Sequence, residues 1–157
     1  MISSSEARQD KSPKVVIDRA CLAVLTFASV FTGAWAYFAP RFFYDSFPGL
    51  GLSWLPQLGP YNEHFVKDVG AMFLALAVLS AVALRHVDDG RSSRMAGAVW
   101  LVFNVLHFGY HVTMLHMYEP LDQVLNVIVL GVLIVVSVPL VVQPRADARS
   151  AVRGRQV

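Results

Sequence analysis

The chain has 157 residues, enough for one domain, and is 55% hydrophobic but only 15% charged, whereas soluble domains carry nearer a quarter charged residues. Its single cysteine, Cys21, excludes an internal disulfide and thiol–disulfide chemistry within one chain. The formal charge is only +2, and no phosphate loop, nucleophile elbow, zinc finger or basic patch interleaved with aromatics points to nucleotide, hydrolase or nucleic-acid chemistry.

Residues 1–17 read as a polar tail, since "MISSSEARQDKSPK" has little to bury. A transmembrane domain is expected over 18–142. A membrane-crossing helix needs roughly 20 mostly apolar residues, and Ala20 to Ala39 is an uncharged run of that length. It is too long for a signal peptide and lacks a convincing small-residue cleavage site, so it reads as the first span. The connection that follows is long, "PRFFYDSFPGLGLSWLPQLGPYNEH". It holds Pro40, Pro48, Pro56 and Pro60 among six aromatic residues. Loops of this length tend to be lids or binding elements; an aromatic belt at the lipid headgroups is a compatible second reading.

The second span, Val69 to Leu84, is introduced by the charged stretch "YNEHFVKDVG". A polar turn, "RHVDDGRSSR", leads to a third span from Met95 to Tyr118, which Asn104, His107, His111 and His116 interrupt. A short connection around "YEPLD" places Pro120 at the start of the fourth helix, and Val124 to Val142 is the fourth span. Residues 143–157 form a basic tail. Short second and third connections make antiparallel neighbours. The expected fold is an all-α, four-transmembrane-helix bundle, up-down-up-down, with a long first extracytoplasmic loop.

Lysine and arginine set the direction. Arg8, Lys11, Lys14, Arg19, Arg85, Arg91, Arg94, Arg145, Arg149, Arg153 and Arg155 fall on one side, eleven of the thirteen basic residues. Only Arg41 and Lys67 fall on the other. Both termini are therefore expected in the cytoplasm, with the protein multi-pass in the membrane and the lipid bilayer its first partner.

On a helix turning about 100° per residue, Glu63, His64, Lys67 and Asp68 span an arc of roughly 140°. Asn104, His107 and His111 form one stripe of the third helix, and Asp122, Gln123 and Asn126 share a face of the fourth. At about 1.5 Å per residue, Asp68, His111 and Asn126 lie within a few turns of the outer surface, with His107 and Asn104 deeper. Charges at such depth are costly and should face the bundle interior. The expectation is an outward-facing pocket, with Glu63, His64, Lys67 and Asp68 as one wall and Asn104, His107 and His111 as the other.

Three classes of chemistry suit such a pocket. "HFGYH" places two histidines four apart but has Phe108 where the metalloprotease motif has glutamate. With His64 and Asp68, His107 and His111 would make a zinc or copper site; haem ranks last among the cofactors. A binding protein is the second class, in which Glu63, Lys67, Asn104 and Asn126 would hold a lipid or quinone-like molecule. The third is a lipid-modifying enzyme, with Asp68 and His111 as acid and base. Against all three stands a plainer reading. Glu63–Lys67 and His64–Asp68 are i,i+4 pairs that could neutralise each other, and the histidine–asparagine stripe could be interhelical glue in an accessory subunit of a larger membrane complex.

Tyr61 to Gly70, followed by "HFGYHVTMLH", resembles a group of small four-helix membrane proteins of actinobacteria. These show a Y-N-E-H-x-x-[RK]-D-V-G stretch and then a histidine-rich third span. Lys67 stands where arginine is more usual, and His107, His111 and His116 fit the second feature. The resemblance runs from about Asp18 to Val142. It implies an architecture and a membrane location, and no reaction.

Overall fold

The computed structural model describes residues 12–142; the tails, with Arg8, Lys11 and the four C-terminal arginines, lie outside the described residues. Helix α1 runs from Pro13 to Phe38. It starts seven residues before the uncharged run, because Pro13 suits a first helical position and the charges that follow pair along the helix. Lys14 bonds the carboxylate of Asp18 one turn on, and its Nζ also donates to the Pro139 carbonyl at 2.8 Å. That carbonyl is one of the last four of its helix, which have no partner within it.

Pro40 disfavours helix at Ala39, where α1 stops and a seven-residue helix α2 (Pro40–Ser46) turns across the bundle end. A two-strand hairpin follows, β1 (Pro48–Gly49) pairing with β2 (Leu52–Ser53). Its turn residues Leu50 and Gly51 both have positive φ, 59° and 84°, as a two-residue hairpin turn of the right twist requires. A 3-10 turn at Leu55–Leu58 completes this cap.

Asn62 then caps α3 (Glu63–Arg85) by accepting the Phe65 amide at 3.2 Å. The predicted ten-residue polar turn shrinks to residues 86–89, because Asp89 caps α4 (Gly90–Thr113) and draws Arg91 and Ser92 into its first turn. A 3-10 turn at Leu115–Met117 leads to α5 (Pro120–Val141). Four of these helices are long and apolar enough to cross a membrane, and the chain is an all-α four-helix membrane protein.

The helices form two intimate pairs, α1 with α3 and α4 with α5, joined by slimmer α1–α5 and α3–α4 seams. Glycine makes both pairs possible. A Cβ on Gly70 would lie 2.6 Å from the Tyr37 backbone nitrogen, and one on Gly97 would lie 2.5 Å from Leu140 Cβ. Small residues at contact points are how helices approach when lipid removes any hydrophobic drive between them.

The dense core occupies only one half, toward the α3–α4 turn. Leu22, Leu25, Leu76, Ala83, Val87, Ala96, Trp100 and Leu140 pack there, and Trp100 Nε1 donates to Ser80 Oγ at 2.8 Å. The other half, under the cap, is built differently.

Candidate functional site

Beneath the cap the two helix pairs part, leaving a cavity of about 600 Å³. The phase of each helix decides what lines it. On α3 the inward residues are Val66, Val69 and Phe73. The close approach of α1 and α3 at Gly33 and Gly70 fixes that rotation. The charged arc is centred roughly 150° away by helical geometry, so it turns outward.

Glu63, His64, Lys67 and Asp68 therefore do not form a cavity wall. Lys67 bonds Glu63 at 3.0 Å and His64 meets Asp68 at 3.3 Å, with side chains 44–79% exposed. Pairing at i,i+4 along the one helix is what the fold adopts. Asp68 and His111 are not brought together as an acid–base pair: Asp68 pairs with His64 outside the cavity that His111 lines. The proposed metal set fails to assemble for the same reason. Among the described residues no group of three or more His, Cys, Asp or Glu is placed to hold an ion.

The wall from α4 is present. Phe103, His107 and His111 form a ladder of rings, Phe103 stacked on His107 at 5.2 Å and His107 edge-on to His111 at 4.5 Å. All three line the cavity. Asn104 sits one step round the helix and is 2% exposed, and its Nδ2 donates to the Leu133 carbonyl and to Ser137 Oγ, each at 3.1 Å. It joins α4 to α5 as glue and does not line the cavity. His116 lies beyond the helix end and is exposed.

Asn126 of α5 does line the cavity and is 1% exposed. His111 lies beside its amide, as does Tyr118. Yet His111 Nδ1, Tyr118 OH and both polar atoms of Asn126 are buried without a hydrogen-bond partner among the described residues. Buried polar atoms are nearly always paired, and these four, gathered at one corner beside the Asn126 amide, keep hydrogen-bonding capacity to spare. Burial pushes the Tyr118 phenol up to about 12, so it remains a proton donor at any physiological pH.

The cap closes this end of the bundle with aromatic residues. Phe43 and Trp54 are buried, Phe43 lies 4.8 Å from Phe47 between ring centres, and Trp54 meets Phe47 and Tyr118 edge-on. Two polar bonds pin it. Trp54 Nε1 donates to Asp122 Oδ1 at 3.0 Å, and Tyr44 OH donates to the Gly59 carbonyl. Phe42 and Leu50 point outward, so one segment supplies both the lid-like inner face and the exposed apolar residues a belt needs. Tyr118 and the part-buried Lys14–Asp18 pair have no conspicuous signature in the sequence beyond the i,i+4 spacing of the latter.

No protein-family model matches this chain, and neither the curated proteins nor the solved structures offer a match.

Proposed function

We propose that the protein is a membrane-embedded binding protein that holds one lipid- or quinone-like small molecule in the cavity beneath its cap. One observation carries this reading: a cavity of about 600 Å³ whose walls are overwhelmingly aliphatic and aromatic, with unpartnered polar atoms gathered at a single corner. Ligand sites are typically apolar hollows of roughly 300–1,000 Å³ with a few placed polar groups. The apolar walls take the body of the ligand and the corner takes its polar end. In a bacterial cytoplasmic membrane, the location that the resemblance implies, the 11-to-2 basic asymmetry supports both termini inside and the cap outside.

Native mass spectrometry of protein extracted with its surrounding lipid tests the reading. One small molecule should accompany each chain through removal of bulk lipid. Ala28→Phe, which fills the cavity from α1, should abolish that adduct in protein that still folds. A wild-type chain that carries no such molecule, or an adduct indifferent to Ala28→Phe, overturns the proposal. A reporter active only in the cytoplasm should work at either terminus and fail when fused after Gly51; activity at Gly51 would reverse the orientation.

A further inference from the structure

Resting on that reading, we infer that the ligand's polar end is uncharged and bears a carbonyl or hydroxyl oxygen, which docks between Asn126 and His111. The first ground is what the cavity lacks: no Lys, Arg, Asp or Glu lines it among the described residues. The cations near the cap are committed elsewhere. Arg41 bonds Asp45 at 2.8 Å and Lys67 bonds Glu63 at 3.0 Å, both on the outer surface. The nearest carboxylate on α5, Asp122, accepts from Trp54. An ionised phosphate or carboxylate entering the corner would shed its water and meet no cation, and an ammonium would meet no anion. Burying an unpaired charge in this way is strongly disfavoured. No lining carboxylate is present to hold His107 or His111 as a cation.

The second ground is what the corner offers. Asn126 is 1% exposed and presents two N–H donors and one acceptor oxygen, none of them bonded among the described residues. The His111 Nδ1 beside it donates or accepts according to tautomer. A carbonyl oxygen takes a bond from the Asn126 amide. A hydroxyl takes that bond and returns one to Asn126 Oδ1 or to the imidazole. Both heads satisfy the corner without a counter-ion, and the ladder of Phe103, His107 and His111 rings gives a flat head something to stack on. Quinones and quinols, long-chain alcohols and other neutral amphiphiles share this chemistry.

The test uses full-length protein in nanodiscs of neutral lipid, with three probes: a decyl-substituted benzoquinone, 1-dodecanol and dodecanoate. The quinone should quench tryptophan fluorescence saturably, since Trp54 and Trp100 both line the cavity. Dodecanol should displace it. Dodecanoate, at about pH 8 where it is ionised, should be at least about tenfold weaker than the alcohol. Asn126→Leu should weaken quinone and alcohol alike by about tenfold, the worth of a good buried hydrogen bond. His111→Leu serves as the second variant should Asn126→Leu fail to fold. Dodecanoate competing as well as dodecanol would overturn the neutral-head inference and leave the cavity reading standing, as would quinone binding unchanged in both variants. Absence of saturable quenching by the quinone, together with absence of the native adduct, would remove the cavity reading itself.

Discussion

At the turn end of the bundle, the buried polar groups Asp18, Ser80 and Trp100 each meet a partner. Lys14 answers Asp18, Ser80 receives the Trp100 indole, and the Asn104 amide, nearer the middle, bridges to Leu133 and Ser137. At the cap end, Tyr118 and Asn126 are buried and His111 is half-buried. The His111 ring and the Tyr118 phenol lie beside the Asn126 amide, yet among the described residues none of the three side chains makes a hydrogen bond of normal geometry. Ser93 Oγ is an exception at the turn end, and Trp35 Nε1 adds a further orphan elsewhere in the chain. In hydrocarbon an unsatisfied polar group cannot fall back on water. The turn end is thus organised for stability, and the cap end holds open groups that its own fold leaves unbonded. Local rules that succeed in one half and fail in the other are what the proposed binding site would impose on a stable scaffold.

The sharpest way to break this contrast is at Lys14. Lys14→Met removes the partner of Asp18, whose side chain is only 4% exposed while that of Lys14 is 27% exposed, and should cost about 2–3 kcal/mol, the upper part of the range for leaving a buried polar group unpaired. The double variant Lys14→Met, Asp18→Leu should recover most of that loss, because an apolar pair of similar volume can replace a buried ion pair without penalty. Thermal unfolding in detergent measures both. If Lys14→Met is as stable as wild type, the turn end does not depend on satisfied polarity.

Two asparagines, one in each half, give the next largest difference. Asn104→Leu removes two interhelical hydrogen bonds and should destabilise by about 1–3 kcal/mol. Asn126→Leu removes none that the protein itself makes and, in ligand-stripped protein, should stay within about 1 kcal/mol of wild type. Equal losses would mean that Asn126 is structural glue as well. A packing control accompanies them. Gly97→Ala forces its new Cβ against Leu140 and should cost about 1–3 kcal/mol, whereas Gly131, with no atom within 4 Å of its built Cβ, should tolerate alanine or gain from it.

The four spans could be read from the sequence because composition and length decide them, and lipid leaves the backbone little choice but helix. The α4 stripe was legible too: His107 and His111 share a face, and that face does line the cavity. The rotation of α3 was not. Its charged arc is plain in "EHFVKD", but whether an arc faces in or out depends on the neighbouring helix. Here Gly70 against Tyr37, a contact between residues far apart in sequence, sets it. The start of α1 is hidden in the sequence because charge marks a span's end, whereas Lys14 and Asp18 pair with each other within the helix. The cap's inward rings were beyond reach for a similar reason. Six aromatics in a loop are compatible with a belt or a lid, and it takes tertiary contacts, such as the Trp54–Asp122 bond and the packing of Phe43 on Phe47, to decide which of them turn inward.

The smallest expected effect lies at Tyr118, at the boundary of the cap. Its ordinary pKa is 10.0 and burial raises it to about 12 in the folded protein. Below pH 10 the phenol is neutral in folded and unfolded chains alike, and its ionisation adds nothing to the pH dependence of stability. Between 10 and 12 the unfolded chain releases the proton while the folded chain keeps it, so stability falls as pH rises. Above 12 both forms are ionised and the slope ends. Tyr118→Phe should remove this part of the alkaline loss and be neutral or slightly stabilising at neutral pH, since it deletes a buried hydroxyl that has no partner. Stability measured at several alkaline pH values, for wild type and variant side by side, reads the difference directly. If the two curves stay parallel through that window, Tyr118 is hydrated or bonded in solution, and the unsatisfied corner that separates the cap end from the turn end loses one of its three members.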